Sequence, residues 1–242
     1  MKKQRIVAMI PVRMGSTRLA MKNLAILNGK PLIYYSINAA KKSGVFDSIV
    51  INSESDIFGV IAKRYGVDFY KRPAKLATSN AKSDSIVYDF IKNNPCDIIV
   101  WINSIAPLQT ASEIKEVVKY FIKEKLDSLI TVKDEQVHCL YRGKPVNYKT
   151  KGLFAKTQDL KPVKPFVYSI MMWRADAFMK MFKRKGHAFF CGKFDSYPVS
   201  KLASVIIKRE EDLALAEYIL RAQKTKKKVR YDKITKKYRG KS

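Results

Sequence analysis

Ile6-Val7-Ala8-Met9-Ile10-Pro11-Val12-Arg13-Met14-Gly15-Ser16-Thr17-Arg18-Leu19-Ala20-Met21-Lys22-Asn23 runs from an apolar segment straight into a cationic turn, and that junction decides the fold class. Residues 6 to 10 form the short unbroken apolar run of a strand buried in a parallel sheet, and Pro11 ends its pairing because it has no N–H to donate. Gly15 lets the backbone turn at little steric cost and bring its amides near a ligand, while Arg13, Arg18 and Lys22 put positive charge round the same concavity. Such a field suits a triphosphate. Spacing alone leaves an ordinary solvated loop equally open, since the segment is neither a GxxxxGK[ST] loop nor a GxGxxG fingerprint, which removes the main support for a P-loop hydrolase or a Rossmann dehydrogenase.

Further apolar runs at 47 to 52, 97 to 102 and 127 to 132 read as strands, and amphipathic stretches at about 31 to 43, 56 to 65, 83 to 93 and 112 to 125 read as helices between them. That alternation implies an α/β fold, a parallel sheet with helices on both faces. Ligands then gather at the carboxyl ends of the strands, where Pro11 to Asn23 and Asn103 to Gln109 would meet over one nucleotide. Ser112 is the expected N-cap of the fourth helix, and Ser83 or Asp84 that of the third. Beyond Lys133 the regular alternation fades until Phe166 to Trp173.

The 242 residues suit one domain, with 47% hydrophobic content to fill a core and no long apolar span. Met1 to Arg5 reads as the lead-in to the first strand, not a signal segment, because few apolar residues follow before Pro11. Cys96, Cys139 and Cys191 lack metal-ligand spacing and read as reduced thiols. His138 and His187 have no visible acidic partner and read as ordinary surface residues. Lys and Arg number 48 against 21 Asp and Glu, a net charge of +27, with ten of the cations between Lys224 and Lys241. The segment 224–242 therefore reads as a flexible basic tail, and 1–223 as the folded domain. Such a surface attracts any polyanion, so nucleic-acid or anionic membrane contact stands as a lesser alternative to attraction of nucleotides and acidic sugars.

The opening segment resembles that of the sugar-activating cytidylyltransferases, above all the CMP-sialic acid synthetase (N-acylneuraminate cytidylyltransferase) family. The likeness continues through Asn28-Gly29-Lys30-Pro31-Leu32-Ile33, Ser43-Gly44-Val45-Phe46-Asp47, Tyr65-Gly66-Val67, Arg72-Pro73-Ala74-Lys75-Leu76-Ala77, Ser83-Asp84-Ser85 and Glu210-Glu211-Asp212-Leu213. It implies a three-layer α/β/α nucleotide-diphospho-sugar transferase-like (Rossmann-like) fold with a mostly parallel sheet, and a cytoplasmic homodimer whose dimerisation extension spans about 137–195. The implied reaction is attack of a sugar acid's anomeric hydroxyl on the α-phosphate of CTP, releasing pyrophosphate, for surface polysaccharide synthesis. On this resemblance Arg13 and Lys22 are the catalytic candidates. Ser16, Arg18, Asn23, Arg72, Ser83 and Asn103 are the substrate-binding ones, the last three on the cytidine side.

The chain also departs from that pattern. The family's Ile-Asp-Ile-Asp metal site corresponds to Val205-Ile206-Ile207-Lys208-Arg209, so the expected Mg2+ lacks two carboxylates, and Asp212, Glu210 and Asp195 are the acids left to inspect. The family's Arg-Pro-Asn-Gly is replaced by Phe166-Val167-Tyr168-Ser169, and Ser16-Thr17-Arg18-Leu19 is similar to the loop of the Kdo cytidylyltransferases. Three readings follow: a working transferase for a sialate-like or Kdo-like acid, a paralogue that binds nucleotide without transfer, and a basic nucleic-acid-binding protein.

Overall fold

A computed structural model describes residues 3–16, 18–224, 230–232 and 235, so most of the basic tail and Thr17 of the first loop lie outside the described residues. The strands are β1 (Ile6–Pro11), β2 (Ile26–Leu27), β3 (Lys30–Pro31), β4 (Ser48–Ser53), β5 (Asp68–Lys71), β6 (Ile98–Ile102), β7 (Ser128–Val132), β8 (Leu140–Tyr141), β9 (Lys144–Pro145), β10 (Phe166–Arg174) and β11 (Phe194–Pro198). The helices are α1 (Leu32–Ser43), α2 (Ile57–Tyr65), α3 (Ser83–Asn93), α4 (Ala111–Lys123), α5 (Ala175–Lys185) and α6 (Glu210–Lys224).

Seven strands form one sheet in the order β11-β7-β10-β6-β1-β4-β5. The pairs β1–β4, β1–β6, β4–β5 and β7–β11 are parallel, and β10 runs antiparallel between β6 and β7. The mostly parallel three-layer α/β/α architecture is therefore as expected. Alternate residues of β1 serve opposite faces: Ala8 and Ile10 pack with α1, α2 and α4, while Val7 and Met9 pack with α3 and α5. That is the period of two that a strand covered on both sides requires. Two carboxylates hold the amino end of β1, Asp97 accepting from the Arg5 N–H at 2.6 Å and Asp47 from that of Ile6 at 2.8 Å. Gly44 and Gly66 close α1 and α2 in the left-handed region, at φ 66° and 62°, where a side chain would be strained.

Several local expectations need correction. Pro11 stays in register opposite Asn52, and the pairing runs one residue on, because the Val12 N–H donates to the Asn52 carbonyl at 3.0 Å. Gly15 has no left-handed φ; among the described residues of the loop Met21 is left-handed, at φ 45°. The N-cap of α4 is Thr110, not Ser112: its Oγ1 accepts from the Glu113 N–H at 3.2 Å, and Glu113 reaches back to the Thr110 N–H at 3.1 Å, a reciprocal capping box. Lys82 holds the cap position of α3 without a side-chain bond, because Asp84 turns to accept the N–H groups of Ala188 and Phe189 at 2.6 and 2.8 Å.

The excursion from the sheet is confined to 133–165, since β10 and α5 return the chain to the core. It carries the β8–β9 hairpin and exposes Leu140, Tyr141, Val146, Leu153 and Phe154. His138 is stacked on Phe154 at a centroid distance of 4.2 Å, with its Nε2 buried and unpartnered, so it is not the ordinary surface residue the sequence suggests. The three cysteines are free thiols, and burial pushes Cys96 up to about 12 and Cys191 up to about 11.

Thr110→Ala should lower unfolding stability by about 1 kcal/mol in urea titration, whereas Ser112→Ala should change it by less than about 0.5 kcal/mol. Equal effects would move the cap back to Ser112.

Candidate functional site

β1 lies between β6 and β4, so the chain leaves β1 towards one side of the sheet and returns on the other. A crevice opens at such a switch point, above the carboxyl ends of β1 and β6. Arg13, Ser16, Arg18, Lys22 and Asn23 come together there with Ser104 and Ile105, lining a cavity of about 160 Å³. The two loops are tied by side chains. Asn23, 6% exposed, donates to the Arg13 carbonyl at 3.3 Å and accepts the Ser104 hydroxyl at 2.6 Å. The Lys22 ammonium donates to the Ile207 carbonyl at 3.1 Å, joining the first loop to the segment before α6.

Electrostatically the cavity is set for an anion. Burial lowers the Lys22 pKa below 10.5, and the Arg18 and Arg13 guanidiniums lower it further, with Asp212 opposing and Lys208 adding to the repulsion. Cations held this close favour any ligand that supplies negative charge. A Cβ built on Gly15 meets nothing within 4 Å, so the approach over this part of the loop is open.

A second cavity of about 210 Å³ shares Arg13 with the first and is walled by Arg72, Leu76, Thr78, Ile86 and Trp101. Arg72 is 3% exposed. Its Nη2 donates to the Val12 carbonyl at 2.9 Å and to Glu54 at 3.2 Å, while Glu54 accepts the Met14 N–H at 2.9 Å. The guanidinium is thus first a brace between the ends of β1, β4 and β5, with its Nε left unpartnered. Burial lowers the Arg72 pKa, and Glu54 opposes that shift.

Of the residues expected on the cytidine side, only Arg72 lines this cavity. Ser83 lies outside the walls of both cavities, and Asn103 faces its own loop, accepting from the Ile105 N–H at 3.5 Å. Ser104, the next residue, lines the phosphate cavity instead. Glu54, Ser104 and Trp101 escaped the sequence reading. Glu54 could have been found by asking which carboxylate neutralises Arg72.

A third cavity of about 410 Å³ lies across the Lys22–Ile207 contact, lined by Lys133, Phe166, Val167, Ile206, Lys208 and Asp212. The acids near it do not fit a protein-held magnesium ion. Asp212 spends Oδ2 on the N–H groups of Lys208 and Arg209 at 2.7 and 2.9 Å, as a helix-start acceptor. Asp195 lies near the amino end of β11, away from the loops, and accepts the Tyr120 hydroxyl at 2.5 Å. Glu210 opens α6 as an exposed first-turn acid. Among the described residues no three His, Cys, Asp or Glu side chains group to hold a metal. Hard cations need several oxygens at once, and Ile206 and Lys208 supply none.

The sequence profile of the cytidylyltransferases matches residues 7–164. An N-acylneuraminate cytidylyltransferase of Escherichia coli O18:K1:H7 is 35% identical over 134 residues, covering 53% of this chain and 31% of its own length. The enzyme of that name from Streptococcus agalactiae serotype V is 25% identical over 217 residues, 85% of this chain and 51% of its own. A pseudaminic acid cytidylyltransferase of Campylobacter jejuni is 32% identical over 125 residues, 49% of this chain and 54% of its own. The chain thus spans about half or less of the length of these curated relatives. A solved CMP:2-keto-3-deoxy-manno-octonic acid synthetase complexed with CTP superposes with a TM-score of 0.70 at 12% identity, covering 90% of this chain and 99% of the other, a likeness of fold.

Glu54→Gln should destabilise the fold by about 3 kcal/mol in urea unfolding, because it leaves the Arg72 charge buried without its partner. A loss below about 1 kcal/mol would mean that the pair does not brace the loop.

Proposed function

The chain belongs to the cytidylyltransferase family, and from that membership we propose that it transfers CMP from CTP to an acidic keto-sugar of the sialic acid or Kdo kind. The observation that carries this reading is the convergence of Arg13, Arg18 and Lys22 on one small cavity, with the cavity under Arg72 sharing Arg13 and a larger cavity with two lysines nearby. The relatives' names supply the substrate class: N-acylneuraminate and pseudaminic acid cytidylyltransferases among the curated proteins.

In this reading the triphosphate lies against Arg13, Arg18 and Lys22, with the Ser16 and Ser104 hydroxyls beside it. The nucleoside enters the cavity under Arg72. The sugar acid takes the third cavity, its carboxylate drawn by Lys208, since the Lys133 ammonium is already paired with Glu135, and its apolar face lies against Phe166 and Val167. The anomeric hydroxyl attacks the α-phosphorus, its proton passing to water, and the bridging oxygen leaves with pyrophosphate. Little covalent work falls to the protein: it holds two anions in line and neutralises charge that grows on the departing phosphates. Those cations come from the chain itself. The resemblance implies magnesium as a cofactor, which would add Lewis-acid stabilisation if carried in on the triphosphate; among the described residues no acids group to hold it by themselves.

A second reading, nucleotide binding without transfer, is favoured by one observation, the replacement of both expected metal-site acids by Ile206 and Lys208. The charge of +27 alone supports the nucleic-acid alternative, and the family match outweighs it. For the assembly, the exposed apolar residues of the 133–165 excursion support a homodimer paired through that face.

Incubation with CTP, magnesium and a panel of keto-sugar acids should release pyrophosphate with at least one sugar. Silence with CTP binding retained would favour the binding-only reading, and absence of CTP binding would sink both.

Lys22 supplies a pH dependence. Its folded pKa is depressed, so the ammonium that meets the phosphates is complete below that value and lost as pH rises through it. CTP affinity followed by titration calorimetry should therefore fall at a pH below 10.5, and Lys22→Arg should abolish the fall while keeping binding.

A further inference from the structure

Ile206 and Lys208 occupy the two positions where the resemblance expects metal-holding acids, and both line the third cavity with Asp212. Between them Ile207 is fully buried, donates its N–H to the Ile105 carbonyl at 2.8 Å and accepts the Lys22 ammonium at 3.1 Å on its own carbonyl. Ile105 and Lys22 are both walls of the phosphate cavity, so position 208 is pinned one residue beyond its border. The Lys208 backbone is fixed as well, its N–H donating to Asp212 Oδ2 at 2.7 Å. The side chain is uncommitted: it is exposed, and among the described residues its ammonium makes no hydrogen bond or ion pair.

This arrangement disfavours a divalent ion held by the protein. Such an ion would meet the positive charge of Arg13, Arg18, Lys22 and Lys208, and among the described residues no acids group to receive it. An ion that arrives on the phosphates cancels part of the negative charge that those side chains would otherwise meet. Lys208 is close enough to Lys22 to add to the repulsion that lowers its pKa, so its charge is felt at the phosphate cavity. The flexible stem and several donors of a lysine let it turn to the phosphates when no sugar carboxylate is present.

We propose that the Lys208 ammonium stands in for a protein-held divalent ion in nucleotide binding, so that the chain binds metal-free CTP as tightly as the magnesium complex or more so. The proposal rests on the nucleotide reading above and deepens it: the ligand is taken as a free polyanion, and Lys208 supplies part of the charge that meets it.

Titration calorimetry with CTP, in EDTA and in excess magnesium, tests this on the wild-type protein, Lys208→Gln and Lys208→Arg. Wild-type affinity in EDTA should equal or exceed that in magnesium. Lys208→Gln should lose about tenfold in EDTA, the worth of one charge-assisted hydrogen bond, and less in magnesium, while Lys208→Arg should keep the wild-type behaviour. The side chain is exposed and the Asp212 bond is made by the backbone, so neither variant removes a packing contact of the core. Wild-type binding that is tighter in magnesium than in EDTA would overturn the proposal and leave the nucleotide reading standing. A Lys208→Gln protein that loses nothing in EDTA, or loses equally in both conditions, would overturn the role of the ammonium. If the wild-type protein binds CTP in neither condition, the nucleotide reading itself fails, and this inference with it.

Discussion

The buried pair between Arg72 and Glu54 is the contact on which the site depends. Arg72 follows β5 directly and Glu54 follows β4, and between them they hold the Val12 carbonyl and the Met14 N–H of the loop after β1. The loop that carries Arg13, Arg18 and Lys22 is thereby anchored by charge as well as by the sheet. A guanidinium this deeply buried is costly unless its hydrogen bonds are met, and charge-assisted bonds to a carboxylate and a carbonyl meet most of that cost. Asn23 then fastens the far end of the loop to Ser104, beyond β6. Three strand ends and two loops are braced before any ligand arrives, which is what a preorganised anion site needs.

The cations within that brace act against the free fold. Arg13, Arg18, Lys22 and Lys208 repel one another, and the depressed pKa of Lys22 reports burial first and that repulsion second. Asp212 opposes them at Lys22, and its carboxylate is also engaged at the start of α6. Such an arrangement is stabilised by polyanions in general, so the charge explains attraction better than choice. Choice has to come from the less charged cavities on either side.

The sheet was legible because its strands are buried on both faces and read as unbroken apolar runs: those from residues 6, 47, 97 and 127 fall within a residue of the observed boundaries. β5 and β11 were harder. Asp-Phe-Tyr-Lys and Phe-Asp-Ser-Tyr-Pro lie at the two edges and carry polar residues that only their single neighbours explain. The phosphate-loop candidates were legible because they are consecutive, so one turn brings Arg13, Ser16, Arg18, Lys22 and Asn23 together. Glu54, Ser104 and Trp101 were not, since Glu54 comes from the end of β4 and the other two from the end of β6, and only the strand order brings them near the first loop. The misplaced caps have a related cause. Ser112 and Asp84 are good cap residues locally, but Thr110 has the better partner in Glu113, and Asp84 is taken by the distant Ala188 and Phe189 amides.

The substitution of Ile206 and Lys208 for acids changes more than a ligand count. Two carboxylates near a triphosphate are tolerable only when a divalent ion lies between them, so such a site keeps a nucleotide's affinity tied to metal. An ammonium at position 208 reverses the sign: it attracts the phosphates, or a sugar carboxylate, directly, while a monovalent group cannot bridge oxygens as a divalent ion does. Lys208 and Lys133 border the third cavity with Phe166 and Val167. Under the proposed reading the chain has therefore moved positive charge from a bound ion onto its own side chains. A fixed ammonium attracts an acidic sugar in the ground state, and it stabilises the departing phosphate to the extent that it lies against the charge developing there. Only interactions that strengthen in the transition state raise the rate of transfer. Under that reading, what Lys208 contributes to transfer is set by how closely its ammonium meets that developing charge.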